Sequence, residues 1–175
     1  MRTRYLIAAL APFCFTSISL AAAGPGPASA KEAAPRAQQF LADAIKGNNS
    51  EILLGELAAR RGSTEGIRQY GETLQRDHGK AKENAVRVAR LEGWDVPSGV
   101  KPDAQRLAKT LQGLSGKDFD REFLRHMILM HREDISKYEN AAKLGGKVGA
   151  YAQQTLPDLR KHLEIAQRLN RELQK

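Results

Sequence analysis

Hydrophobic positions in this chain step by three and four residues along four long stretches, and no stretch alternates with a period of two. A step of three to four places apolar side chains on one face of a helix, whereas a half-buried strand needs strict alternation. The first stretch covers residues 37–61, with Phe40, Leu41, Ala44, Ile45, Ile52 and Ala59 on one broad arc. Gly47-Asn48-Asn49-Ser50 interrupts it, and either kinks one long helix or ends one and caps the next. After the tight break Arg61-Gly62-Ser63, Ser63 with Glu65 behind it starts a second helix. That helix carries Ile67, Gly71, Leu74, His78, Ala81, Ala85 and Val88 at helical spacing and ends at Gly93. A Pro/Gly loop over 94–102 and a short amphipathic piece over 103–111 then lead to Ser115-Gly116-Lys117-Asp118, a start resembling a capping box. The third helix follows on Phe119, Phe123, Leu124, Met127, Ile135 and Tyr138, and Gly145-Gly146 stops it. The fourth covers 147–173 on Val148, Ala152, Thr155, Leu159, His162, Ala166 and Leu169, where Pro157 must kink or divide it. The expected fold is all-α: a four-helix bundle over 37–173 whose long crossover carries a short extra helix.

The first thirty residues lie outside this pattern. Arg2 and Arg4 give a basic start, residues 5–23 carry no charge, and Gly24-Pro25-Gly26-Pro27 precedes Ala28-Ser29-Ala30. This is the layout of a secretory signal cleaved after Ala30. An uncleaved anchor is the competing reading, because nineteen uncharged residues nearly span a bilayer; the breaker and the small-residue cleavage site argue against it. Cys14, behind Ala11-Pro12-Phe13, has no lipid-attachment context. The expectation is a leader over 1–30, a polar tether over 31–36 containing Pro35, and a periplasmic mature domain with no stable membrane insertion.

Composition narrows the chemistry. The single cysteine of the 175 residues falls in the leader, so the mature chain has no disulfide and no thiolate ligand. Its stability must come from burial, and its length suits one core. The net charge of +8 invites a nucleic-acid reading. Yet Arg60, Arg61, Arg87, Arg90 and Lys161 are interleaved with Glu56, Glu65, Glu83, Glu92 and Glu164, the pattern of solvated helix surface, so no nucleic-acid partner is expected. No serine elbow, phosphate loop or nucleotide fingerprint occurs.

A few polar residues fall on the buried arcs, one candidate ligand per long helix. They are Glu51 in the first, His78 in the second, His131 in the third and His162 in the fourth. Glu51 lies about eleven residues before Gly62 and His78 about sixteen after it, and His131 and His162 lie about fourteen and seventeen from Gly145; at about 1.5 Å per residue all four can meet near mid-bundle. Gly55 and Gly71, near the same level, allow close helix approach or leave room for an ion. Asp77, Asp134 and Asp158 sit at offsets of one, three and four from the histidines, as acceptors that could orient imidazoles or as plain surface charge. His126 lies about 140° round the helix from His131 and reads as a rim residue. Burying a carboxylate and three imidazoles without partners is costly, so the group either satisfies itself or holds one divalent transition metal of unspecified identity.

Phe40-Leu41, Glu51-Ile52, Leu57-Ala58, Asp77-His78, Phe119-Asp120, His131, Thr155-Leu156-Pro157 and His162-Leu163, in that order, resemble the family called domain of unknown function 4142. The resemblance covers about residues 37 to 170 and implies an exported, bacterial, ferritin-like bundle with no established activity. Di-iron bundles carry Glu-x-x-His pairs, but here Gln75, Ile128 and Leu159 stand three residues before His78, His131 and His162. The resulting expectation is a periplasmic metal-binding or metal-handling bundle, linked to envelope stress. The alternative is a non-catalytic envelope protein whose buried Glu/His network only fixes packing. No catalytic residue is singled out.

Overall fold

In the computed structural model, which describes residues 27–175, five helices follow one another: α1 (Pro27–Arg61), α2 (Glu65–Leu91), α3 (Pro102–Gln112), α4 (Gly116–Ala142) and α5 (Gly146–Leu173). None of the described residues is in a strand, and none of their helices is long and apolar enough to cross a membrane. Residues 1–26, most of the expected leader, lie outside the described residues.

Helices α1 and α2 pack as one hairpin and α4 and α5 as another, with α2 against α5 and α1 against α4. Asp120, near the start of α4, accepts from the backbone N–H of Ser63 at 3.0 Å, and from its hydroxyl. The start of α4 is thereby tied to the α1–α2 turn. At the opposite end the ammonium of Lys147, beginning α5, lies 2.7 Å from Glu92, just past α2. Helix α4 therefore runs parallel to α2, and the crossover travels the length of the bundle with α3 laid against α1 and α4. One long crossover of this kind is the ferritin-like variant of the four-helix bundle.

The ends and interruptions differ in detail from the expected ones. Thr64, not Ser63, caps α2, its hydroxyl accepting from Ile67 N–H at 3.3 Å, because Ser63 is turned toward Asp120. Ser115 precedes α4 without a side-chain capping bond. Helix α1 continues back through 31–36, where Ala33 and Ala34 favour helix and Pro35 does not end it. Helix α5 likewise continues through Pro157 undivided.

The stretch Gly47-Asn48-Asn49-Ser50 is the clearest departure, for α1 runs straight through it. Asn48 and Ser50 return their side chains to the carbonyls of Ala44 and Lys46, four residues back, at 2.9 and 2.7 Å. Asn49 donates to the Gly99 carbonyl at 2.8 Å, and Ser50 Oγ accepts from Lys101 N–H at 2.9 Å. These helix-breaking residues form the seat of the crossover rather than a break.

The core divides into two apolar clusters. One, at the Gly62 end, gathers Leu54, Leu74, Phe119, Phe123 and Met127; the other gathers Leu41, Ile45, Ala85, Tyr151 and Leu159. Fully burying such a side chain stabilises the fold by about 1.5–3 kcal/mol, so these layers carry most of the stability. On α1 the buried stripe passes through Leu41, Ala44, Ile45, Asn48, Glu51, Leu54 and Ala58, while Ile52 and Ala59 are only half-buried. Between the clusters lies a polar layer.

Candidate metal centre

The four residues expected to converge do so. Glu51, His78, His131 and His162 are each no more than 2% exposed, and each stands on a different long helix. One ring nitrogen from each of the three histidines lies within 4.8 Å of the other two. Ring centroids are 5.8 Å apart for His78–His131, 5.1 Å for His78–His162 and 5.3 Å for His131–His162. The α1–α2 contact that sets this level depends on two glycines. A Cβ on Gly71 would lie 2.5 Å from both Ala59 N and the Gly55 carbonyl oxygen, so the pair serves close helix approach rather than an ion cavity.

The outer partners fix which nitrogen of each ring carries the proton. Asn48 donates its amide to the Ala44 carbonyl, which turns its Oδ1 toward His78 Nδ1 at 2.9 Å. His78 Nδ1 also lies 3.0 Å from Glu51 Oε2. It therefore bears the hydrogen, leaving a lone pair on Nε2. His131 Nδ1 donates to the Met127 carbonyl at 2.9 Å, which leaves the lone pair on Nε2. His162 Nε2 donates to Asp77 Oδ2 at 3.1 Å, leaving it on Nδ1. His78 Nε2, His131 Nε2, His162 Nδ1 and Glu51 Oε1 are all buried without a hydrogen-bond partner. Glu51 Oε1 lies 3.7 Å from His131 Nε2.

Electrostatics agree with this proton placement. Burial, then the charges of His131 and His162, pushes His78 well below its ordinary value. Burial, then His162, takes His131 down to about 3. Burial also lowers His162, against the pull of Asp77. The histidines are accordingly neutral, as ligands must be. Burial, and next the charge of Asp134, raises Glu51 well above the carboxylate range. For Asp77 burial works upward, but hydrogen bonds from His162 and Arg76 outweigh it and hold the group below its usual value.

The three aspartates separate. Asp77, expected beside His78, reaches across to His162 on α5 instead. Asp134 is buried but lies beside Lys137 at 3.8 Å, while His131 is oriented by Met127. Asp158 is exposed. His126 is at the rim, its side chain 28% exposed and 3.3 Å from Glu122.

Two residues that the sequence did not mark as site candidates belong to this layer. Asn48, which orients His78, also donates to Tyr151 at 3.2 Å, and Tyr151 bonds Tyr138 at 3.1 Å. Its position three residues before Glu51 on the same stripe was the available signal. Tyr70, with its ring 6.5 Å from His162, has a buried hydroxyl without a partner.

The family model described as Domain of unknown function (DUF4142) matches residues 22–169. The chain belongs to this family. No curated protein matches this DUF4142 chain. Among solved structures it is similar to a crystal structure of a DUF305 fragment from Deinococcus radiodurans, with a TM-score of 0.71 and 16% identity over 79% of this chain and 97% of that one. At that identity the likeness concerns the fold: a second helical domain with the same arrangement. Among the described residues of the DUF4142 chain, three buried histidines could hold a metal ion.

Proposed function

We propose that this DUF4142 protein is a metal-binding or metal-handling bundle that holds one divalent transition metal through His78, His131, His162 and Glu51, and that it works in the periplasm after export, in envelope stress. The observation that carries the metal reading is the convergence of four buried, unpartnered electron pairs, three on imidazole and one on carboxylate. Leaving even one buried acceptor unsatisfied costs about 1–3 kcal/mol. A cation satisfies all four together and displaces the proton that burial keeps on Glu51, whereas that single proton can satisfy at most one of the three imidazole lone pairs. Imidazole and carboxylate suit zinc, copper, iron, nickel or manganese, and no turnover chemistry is proposed. Asp77, Met127 and Asn48 orient the three rings, as outer partners of metal-bound histidines do.

Thermal melts of the purified protein, with chelator and then with zinc, copper, manganese or iron, test this reading. Metal raises the melting temperature of wild type; His131→Ala abolishes the increment and His126→Ala keeps it. A wild type that ignores every metal, with His131→Ala merely less stable, leaves the packing-only network as the correct reading. Export is tested by intact mass: protein from the periplasm begins at Lys31, and a chain there beginning at Met1 rejects cleavage after Ala30.

A further inference from the structure

The polar layer is closed on most sides by packed helices, so a cation needs a way in. One crevice of about 20 Å³, lined in part by Gly47, Glu51, Lys101, Asp134 and Lys137, reaches Glu51 from the surface between α1 and α4. It has room for one water or one largely dehydrated ion and for nothing larger. Outside it lies a groove of about 540 Å³ between α3 and α4, to which Asp134, Lys101 and Lys137 also belong. These three side chains thus stand where the groove narrows into the crevice.

Their charges oppose one another. Asp134 is 8% exposed and lines the same crevice as Glu51, whose Oε1 is unpartnered and lies 3.7 Å from His131 Nε2. Lys137 Nζ lies 3.8 Å from Asp134 Oδ1, on a side chain 56% exposed. Lys101 reaches the crevice because residue 47 is glycine: a Cβ there would stand 3.1 Å from its Nζ. The bond from Lys101 N–H to Ser50 Oγ anchors that lysine on α1.

Resting on the metal reading above, we infer that Asp134 and Glu51 form a two-step carboxylate path for cations between the outer groove and the histidines, with the ammonium groups of Lys101 and Lys137 as a displaceable plug. A hydrated cation exchanges water for Asp134, displaces an ammonium that can swing into solvent, and passes to Glu51, the ligand nearest the crevice. At each step the divalent ion takes the place of a singly charged ammonium beside the same carboxylates, and the displaced ammonium carries its charge out to solvent with its tether. Asp134 accordingly acts on the rate of passage, while the histidines set how tightly the ion is held.

Cobalt(II) uptake by the purified protein, followed by stopped-flow absorption, with release driven by a chelator, tests the path. Charges lining an entrance act chiefly on association, so Asp134→Asn slows uptake by about tenfold and Lys137→Gln speeds it severalfold. Asp134→Asn also slows release, which a plain loss of affinity would accelerate. If wild type binds cobalt and His131→Ala does not, yet both crevice variants match wild type in uptake and release, the path is wrong and the metal centre stands. If wild type takes up no cobalt, nor any other of the divalent metals, the centre itself is wrong and the path falls with it.

Discussion

Asp77 and His162 meet across the bundle, the Oδ2 of one accepting at 3.1 Å from the Nε2 of the other, although Asp77 adjoins His78 in sequence. Successive residues on a helix point about 100° apart, so Asp77 and His78 cannot both face the same ring nitrogens. The arrangement assigns them to two tasks: His78 joins the cluster, and Asp77 fixes the tautomer of a histidine from α5.

Asp77→Asn should therefore weaken metal binding by about 10- to 100-fold, the usual cost of losing an outer partner of a ligating histidine. The asparagine oxygen can still accept from His162, so the fold survives. Asp158→Asn, at an exposed position, should leave affinity unchanged. Competition titration against a chelator of known affinity measures both, and equal effects of the two variants would falsify the assignment of Asp77.

Acid should destabilise the metal-free protein. His131 stays neutral in the folded state down to about 3, and His78 and His162 are also lowered. In the unfolded chain each takes up a proton near pH 6.5, so the unfolded state binds more protons below that value. Stability then falls by up to about 1.4 kcal/mol per pH unit for each histidine. Glu51 and Asp134 act in the opposite sense, because their raised values keep protons in the folded state that the unfolded chain releases. Three groups outweigh two, and urea midpoints measured in chelator should drop from about pH 7 to about pH 5. Metal affinity should fall over the same interval, since protons compete for the same lone pairs. A midpoint that holds steady or rises on acidification contradicts the buried, neutral histidines.

Two glycines of α2 should respond to alanine with opposite signs. At Gly71 the added methyl meets Ala59 N and the Gly55 carbonyl at 2.5 Å, backbone that cannot yield without parting α1 from α2. Overpacking of this kind costs about 1–3 kcal/mol and should also loosen metal binding, because Glu51 and His78 belong to the two separated helices. At Gly79 the methyl meets nothing within 4 Å, and alanine there should stabilise the helix by up to about 1 kcal/mol. Paired denaturation curves decide the matter; two changes of the same sign would reject the close contact.

The sequence by itself determined the helices and the inward facing of Glu51, His78, His131 and His162, since both follow from the helical period within one segment. Counting residues from Gly62 and Gly145 also placed the four at one level, because an antiparallel hairpin converts chain distance directly into height. Only the tertiary structure decided the continuity of α1 through Gly47-Ser50, for those residues are matched to Gly99 and Lys101, about fifty positions away along the chain. The same holds for the partners of the histidines. That Asp77 serves His162, that Asn48 and Met127 orient His78 and His131, and that Asp134 and Glu51 line one crevice are matters of helix rotation and rotamer. Periodicity identifies a buried face to within about a hundred degrees of arc, whereas a hydrogen bond tolerates only a few tenths of an ångström, and packing among all the helices supplies that difference.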